Sequence, residues 1–247
     1  MATLWKKITD GNLYEVRSAG ATVRLYRNGV NHSQWNPNRP LNGSVWDLLV
    51  LPGLHREVGS LQAAAVLGFG AGTSGRLLRD LLEVERVVGV DLDTVHLSIA
   101  KRFFRCARGC ELVSGDAVEW VKREEAHGYD YIIEDLFAEN EEGAERFLPM
   151  DSEWCRCLVR LLRPGGIVVF NTIYPDRVLN FPILQDQGLR ERLPYSIGYQ
   201  LEGYDNRVLA FSDEPFPPDV LEGNLRAIGR TFPRSRGVGS RYECFRV

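Results

Sequence analysis

The sequence lacks several features that would have pointed to a function class at once. No apolar run approaches the roughly 20 residues of a membrane span, and the opening 1-MATLWKKITD-10 lacks the apolar core of a secretion signal. There is no internal repeat, no low-complexity tract and no excess of one charge. The net charge of −3 speaks against a broad phosphate-binding face and so against nucleic acid as a partner. The five cysteines fall at Cys106, Cys110, Cys155, Cys157 and Cys244. An odd count with C-x3-C and C-x-C spacings matches no common zinc pattern, so reduced thiols and no metal are expected. These absences leave a cytoplasmic protein that binds no membrane and acts on a small molecule. At 247 residues it suits one large domain with a small appendage.

What is present divides the chain near residue 55. Residues 1–55 should carry a β-hairpin, a loop and a short helix. Leu13–Arg17 and Thr22–Tyr26 partly alternate apolar and polar residues, and Asn28-Gly29 is a favoured hairpin turn. The following 31-NHSQWNPNRPLNG-43 reads as a 13-residue loop, and Val45–Leu51 as a helix stopped by Pro52-Gly53.

Over 56–247 strands alternate with helices. Strands are expected at Ala63–Phe69, Arg86–Val90, Cys110–Val113, Tyr131–Glu134 and Ile167–Asn171, and helices at Gly75–Leu82, Thr94–Phe104, Ala117–Glu125 and Ser152–Leu162. Apolar strands separated by helices imply an α/β fold with a mostly parallel, Rossmann-like sheet covered on both faces. Ile197–Leu201 and Arg207–Phe211 flank 202-EGYDN-206 and read as an antiparallel C-terminal hairpin.

The stretch 65-AVLGFGAGTSGRLLRDL-81 sets glycines between a strand and a helix. Bare backbone and a helix N-terminus can approach a ligand closely there. Gly70-x-Gly72-x-x-Gly75 satisfies the dinucleotide fingerprint, which is weak alone. Asp91, in 87-VVGVDLD-93, ends the second strand about 20 residues on, where a carboxylate can take both ribose hydroxyls. NAD and S-adenosylmethionine (AdoMet) enzymes share that feature. Asp93 better suits a helix cap. Asp116, in 114-SGDAVEW-120, stands where a carboxylate could meet an adenine amino group, or could simply cap the next helix. Asp135, in 129-YDYIIEDLF-137, leaves an apolar strand at its carboxyl end, where open α/β sheets bind ligands. A carboxylate there can take a proton from an attacking amine, or orient it. Lastly, 161-LLRPGGIVVFN-171 is a helix stop and a sharp turn into a fifth strand.

In this order the elements resemble the class I AdoMet-dependent transferase fold. More closely, roughly residues 12–215 resemble the spermidine synthase (polyamine aminopropyltransferase) family. The shared features are the Asn-Gly hairpin ahead of the fold, Gly68 where ordinary methyltransferases place an acid, the Tyr-Asp-x-Ile-Ile-x-Asp segment ending at Asp135, and 44-SVWDLL-49 in the place of a gate-forming segment. The resemblance implies AdoMet or decarboxylated AdoMet bound by Gly68, Gly70, Ala71, Gly72, Asp91, Leu92, Asp116 and Ala117, with His32 or Gln34 nearby. It implies Asp135 as the catalytic residue and a homodimer. Trp46, Asp47, Glu134, Phe137 and Tyr204 are expected at the acceptor, and Trp35, Trp46, Phe137 and Tyr204 as candidate aromatic walls.

The departures shape the functional expectation. The family's glycine loop carries an Asp where this chain has Thr73. The family's second Asp and its Pro after the catalytic segment are missing from 136-LFAENEEG-143, and its Tyr-His-Glu becomes Val45-Trp46-Asp47. Asp47, Glu134, Glu139 and Glu141 are the acids left to replace the lost amine-holding carboxylates. On this reading the expected activity is methyl transfer to a small amine. Aminopropyl transfer is the alternative, a non-catalytic nucleoside-binding homologue a third reading, and NAD-dependent redox chemistry a fourth.

Overall fold

The structure is a computed structural model that describes residues 1–140, 143–146 and 148–247. The chain opens with β1 (Ala2–Thr9), β2 (Asn12–Ala19), β3 (Thr22–Arg27) and β4 (Val30–Trp35), an antiparallel sheet in sequential order. The two expected strands are β2 and β3, the middle of a four-stranded meander, and Asn28-Gly29, with φ 49° and 88°, turns β3 into β4. Residues 31–35, expected in a loop, lie in β4 and pair with β3. Their polar side chains hid the strand, because one face of this sheet stays partly open.

Next come α1 (Val45–Leu48) and a 3₁₀ turn over Leu51–His55. Pro52 sits at the start of that turn rather than ending the helix, a position where its missing N–H costs nothing. The alternating region follows as β5 (Ala63–Leu67), α2 (Thr73–Leu82), β6 (Arg86–Asp91), α3 (Thr94–Phe103), β7 (Cys110–Ser114), α4 (Ala117–Arg123) and β8 (Tyr129–Glu134). A small hairpin, β9 (Phe137–Asn140) and β10 (Gly143–Arg146), precedes α5 (Ser152–Leu161) and β11 (Leu162–Thr172). Arg163-Pro164-Gly165-Gly166 is an irregularity inside β11: the register with β8 jumps between Leu162 and Ile167. The chain ends with α6 (Pro182–Gln185), α7 (Gln187–Arg192), β12 (Tyr195–Leu201), β13 (Arg207–Ser212), α8 (Pro218–Thr231) and β14 (Tyr242–Phe245).

The main sheet has the order β14-β12-β13-β11-β8-β5-β6-β7. The five strands from β11 to β7 are parallel; β13, β12 and β14 are antiparallel. The basic C-terminal segment therefore closes the edge of its own sheet. Both faces are covered, and buried strand residues divide with period two. Ala64, Val66, Tyr131, Ile133, Ile167 and Val169 join one core with α2, α3 and the N-terminal sheet. Ala63, Ala65, Leu67, Ile132, Val168 and Phe170 join the other with α5.

The chain leaves β5 towards β6 and β7, then returns to β8 on the other side of β5. That reversal opens a crevice at the carboxyl ends of β5 and β8. Leu67 pairs with Glu134, so Gly68 and Asp135 face each other just beyond the sheet. The Asp135 N–H donates to the Leu67 carbonyl at 2.9 Å. A Cβ on Gly68, whose φ is +82°, would lie 2.2 Å from the Asp135 carbonyl oxygen.

A second fixed point is Asp47, which is fully buried. Its carboxylate accepts from the N–H groups of Asn42 (2.8 Å), Gly43 (2.7 Å) and Ser44 (3.3 Å) and from the Tyr242 hydroxyl (2.7 Å). It ties the loop before α1 to the last strand of the chain.

Two stability outcomes follow from these contacts. Gly68→Ala should lose about 2–4 kcal/mol of unfolding free energy through left-handed strain and displacement of a backbone carbonyl. Asp47→Ala, which strands several donors, should lose at least about 3 kcal/mol, and Tyr242→Phe, which removes only one, about 1–2 kcal/mol. Urea denaturation of the three variants tests the ranking.

Candidate functional site

The crevice is the floor of a cavity of about 1150 Å³, at the large end for a small-molecule site. Its floor is Gly68, Gly70, Asp91, Gly115, Asp116 and Asp135, the ends of β5 to β8. Its walls include Tyr14, Arg27 and His32 from the N-terminal sheet, Trp46, His96, Leu136 and Phe137, and Asn171 and Asn206.

Asp135 is the centre of this arrangement. Its Oδ1 accepts from Asn171 Nδ2 at 2.7 Å. Burial pushes its pKa up to about 6; the Asn171 hydrogen bond pulls against that, the Glu134 and Asp91 charges add to it, and Arg146 subtracts. A carboxylate of that strength can accept a proton near neutral pH. Asp91 closes the glycine loop: Oδ2 accepts from Gly70 N–H at 2.6 Å and Oδ1 from Asp93 N–H at 2.8 Å. Each oxygen keeps a further lone pair for a hydroxyl. Asp116 does cap α4, through Oδ1 to Val118 N–H (2.7 Å) and Glu119 N–H (3.2 Å). Among the described residues no donor reaches its Oδ2, so capping and ligand binding are compatible.

Asp93 caps α3 as expected and also accepts from the Tyr14 hydroxyl at 2.7 Å. Burial works against its charge, but His96, Tyr14 and the two helix N–H groups outweigh burial and hold its pKa below the usual value. His96 is buried, 3.7 Å from Asp91 and 3.6 Å from Asp93, with its ring 5.3 Å from that of His32.

The glycine loop itself differs from a phosphate cradle. Gly70 N–H is taken by Asp91, Ala71 N–H by Ser33 Oγ (2.9 Å) and Gly72 N–H by the Phe69 carbonyl (2.9 Å). A Cβ at Gly72, Gly75 or Gly89 would lie 2.6, 2.5 or 2.2 Å from the Phe69 ring. Those glycines make room for Phe69. With its N–H groups spent and Asp91, Asp93, Asp116 and Asp135 around it, the cavity repels a pyrophosphate. It fits an adenosyl group bearing a sulfonium: a carboxylate for the ribose, one for the amino group, and negative charge for the cation.

The structure thus brings Gly68, Gly70, Asp91, Leu92, Asp116, Ala117, Asp135, Trp46 and Phe137 to the cavity. It does not bring Ala71 and Gly72 there; they pack under β4 and around Phe69 and Cys106. Gln34 turns aside to Arg24 and Asn42, and of the two candidates in β4 it is His32 that lines the wall. Thr73 is 3% exposed and accepts from Gln34 N–H at 2.9 Å. Asp47 is committed to its backbone cage, where burial raises its pKa despite the Tyr242 and backbone donors. Glu134 points to the opposite face of β8 and is fully buried. It pairs with Arg146 through two hydrogen bonds of 2.5 and 3.0 Å and accepts from Trp154 Nε1 at 3.4 Å. Burial raises its pKa, and Arg146 opposes the rise. Tyr204 stands exposed outside the cavity, and Trp35 is buried in the core. Glu141 lies outside the described residues, and Glu139 is described by its backbone alone.

Sequence reasoning missed Tyr14, Arg27, His96 and Asn206 as cavity residues, and Asn171 as the partner of Asp135. Only Asn171 carried a local signal, as the polar end of an apolar strand.

Comparison with known proteins identifies the family and the fold. A polyamine aminopropyltransferase of Aeropyrum pernix is 30% identical over 122 residues, which are 47% of this chain and 38% of that protein. The structure of a probable spermidine synthase from Corynebacterium glutamicum superposes with a TM-score of 0.72 at 19% identity, covering 100% of this chain and 91% of that one. Human methyltransferase-like protein 13, in complex with SAH, superposes with a TM-score of 0.61 at 20% identity, covering 77% and 92%. The spermine/spermidine synthase domain model matches residues 50–179, more than half of the chain, and the chain belongs to that family.

Proposed function

We propose that this protein transfers an aminopropyl group from decarboxylated AdoMet to a small amine. Family membership supports this reading over the methyl transfer expected from the sequence alone. The observation that carries it is Asp135: a partly buried carboxylate at the switch point of the sheet, held by Asn171, with a pKa near 6.

A bound sulfonium donor supplies an electrophilic carbon and a thioether leaving group. The residues of this chain align and deprotonate. Asp91 takes the ribose hydroxyls and Asp116 the adenine amino group, while Gly68 and Gly70 allow close backbone approach. Asp135 accepts the proton of the attacking amine as its nitrogen bonds to carbon and the carbon–sulfur bond breaks. Trp46 and Phe137 flank the reacting groups and exclude water. Alignment of this kind can remove about 7–11 kcal/mol of barrier.

A second reading, methyl transfer from intact AdoMet, is favoured by two observations. Thr73 offers no carboxylate to a donor amine, its hydroxyl being turned to β4. Arg27 lines the cavity stacked 5.8 Å from the Tyr14 ring, with an unpartnered buried Nε, as a counter-charge for a donor carboxylate.

Calorimetry and product mass separate the readings. Decarboxylated AdoMet should bind more tightly than AdoMet and yield an aminopropylated amine. A methylated product, with AdoMet binding weakened by Arg27→Ala, would establish the second reading instead. Asp135→Asn should lower turnover at least about 100-fold, the usual scale of general-base loss, while nucleoside binding changes little. The wild-type rate should fall as pH drops through about 6, because protonation removes the base; a flat profile between pH 5 and 8 would exclude Asp135 from that role.

A further inference from the structure

Among the described residues Asp135 has one side-chain hydrogen-bond partner, and that partner has a partner. Asn171 is 4% exposed at the end of β11. Its Nδ2 donates to Asp135 Oδ1 at 2.7 Å, and its Oδ1 accepts from Asn206 Nδ2 at 2.9 Å. The Asn171 carbonyl accepts from Arg146 Nη1 at 3.0 Å, which anchors the backbone and leaves the amide rotation unfixed. An amide has two orientations with opposite hydrogen-bond polarity. With nitrogen towards Asp135 it stabilises the carboxylate. With oxygen towards Asp135 two acceptors face each other unless Asp135 carries a proton.

We propose that Asn206 is a positioning residue: by donating to Asn171 Oδ1 it fixes the polarity of that amide and so keeps Asp135 in its proton-accepting form. The antiparallel register sets the contact, since Thr172 pairs with Arg207 and the turn residue Asn206 thereby falls beside the end of β11. The C-terminal hairpin, remote in sequence from the glycine loop, is in this way part of the proton chemistry. Other charges that act on Asp135 are Glu134 and Asp91, which raise its pKa, and Arg146, which lowers it; none of them selects the orientation of the Asn171 amide.

The inference rests on the proposed role of Asp135 as the proton acceptor, but its test does not need turnover. The Asp135 carboxyl can be titrated by carbon-13 NMR in the full-length protein. Asn206→Ala frees the amide and should raise the midpoint by about half a pH unit. Asn206→Asp, which can only accept, turns the amide and should raise it by a unit or more. Asn206→Ser keeps an O–H donor and should return the midpoint towards 6. The pH–rate profile of each variant should move by the same amount. An Asn206→Ala midpoint equal to that of the wild type would overturn the proposal, even if Asn206→Asp shifts, since added charge alone would then explain the latter. Absence of transfer activity in the wild type, with the midpoints still moving as stated, would sink the functional reading and leave the Asn206 relation standing.

Discussion

The approach of the Asp135 carbonyl to Gly68 is the constraint on which the site depends. Adjacent parallel strands normally diverge into separate loops where a sheet ends. Here the Asp135 N–H continues the ladder to Leu67, and a position without a side chain lets the two exits run side by side. Asp135 is thereby delivered to the crevice floor next to the glycine loop. The same closeness carries a cost. The Asp135 pKa lies near 6 against an ordinary value of 3.8, so the folded state binds that proton more tightly than the unfolded chain. The stabilisation from protonation is present below about pH 4 and lost as pH rises through 6, about 3 kcal/mol in all. The fold carries an ionised, poorly solvated carboxylate at neutral pH, as a proton acceptor requires.

The glycine-rich loop looks like one device and is two. Gly68 and Gly70 serve the crevice, whereas Gly72 and Gly75, with Gly89 from the next strand, vacate the space filled by the Phe69 ring. The loop is rigid because that ring sits under it and β4 lies over it, with Ser33 holding Ala71 N–H and Gln34 N–H reaching Thr73. A loop pinned from both sides has spent its Gly70, Ala71 and Gly72 N–H groups and cannot offer them to phosphate. The same glycine fingerprint thus serves opposite ligand charges, and what separates them is where the N–H groups are spent.

This difference marks what was legible in the sequence. The parallel core was, because β5, β8 and β11 are apolar on both faces and α2 and α5 carry amphipathic stripes. Asp91, Asp116 and Asp135 were legible as strand-end acids. The polar strands β1 and β4 were not, since β1 buries no residue and β4 only two, and no apolar period survives. The failures among the acids have one cause. Asp47 and Glu134 are acidic letters beside the site, but both are held by other partners: Asp47 by Tyr242 from the last strand and by three N–H groups of the loop before α1, Glu134 by Arg146 and Trp154. Local sequence states the charge of a residue and is silent on its partner.

With those two acids removed, the cavity still holds a net negative lining, Asp10, Asp91, Asp93, Asp116 and Asp135 set against Arg27. This imbalance bears on turnover as well as on binding. A sulfonium donor and an ammonium-forming acceptor are both drawn in by such a field. In the proposed transfer the sulfonium becomes a neutral thioether, so the attraction that held the donor is not available to the spent nucleoside. The positive charge passes to the attacking nitrogen and leaves it with the proton that Asp135 accepts, so the carboxylate nearest the new bond is neutralised. The spent nucleoside leaves a site that holds it less strongly than the donor. A loop carboxylate at position 73 would have retained any product amine; a buried threonine bound to β4 does not. The departure from the family pattern at Thr73 therefore weakens the grip on one end of an aminopropyl donor and, by the same physics, favours release of the amine that carries the transferred group.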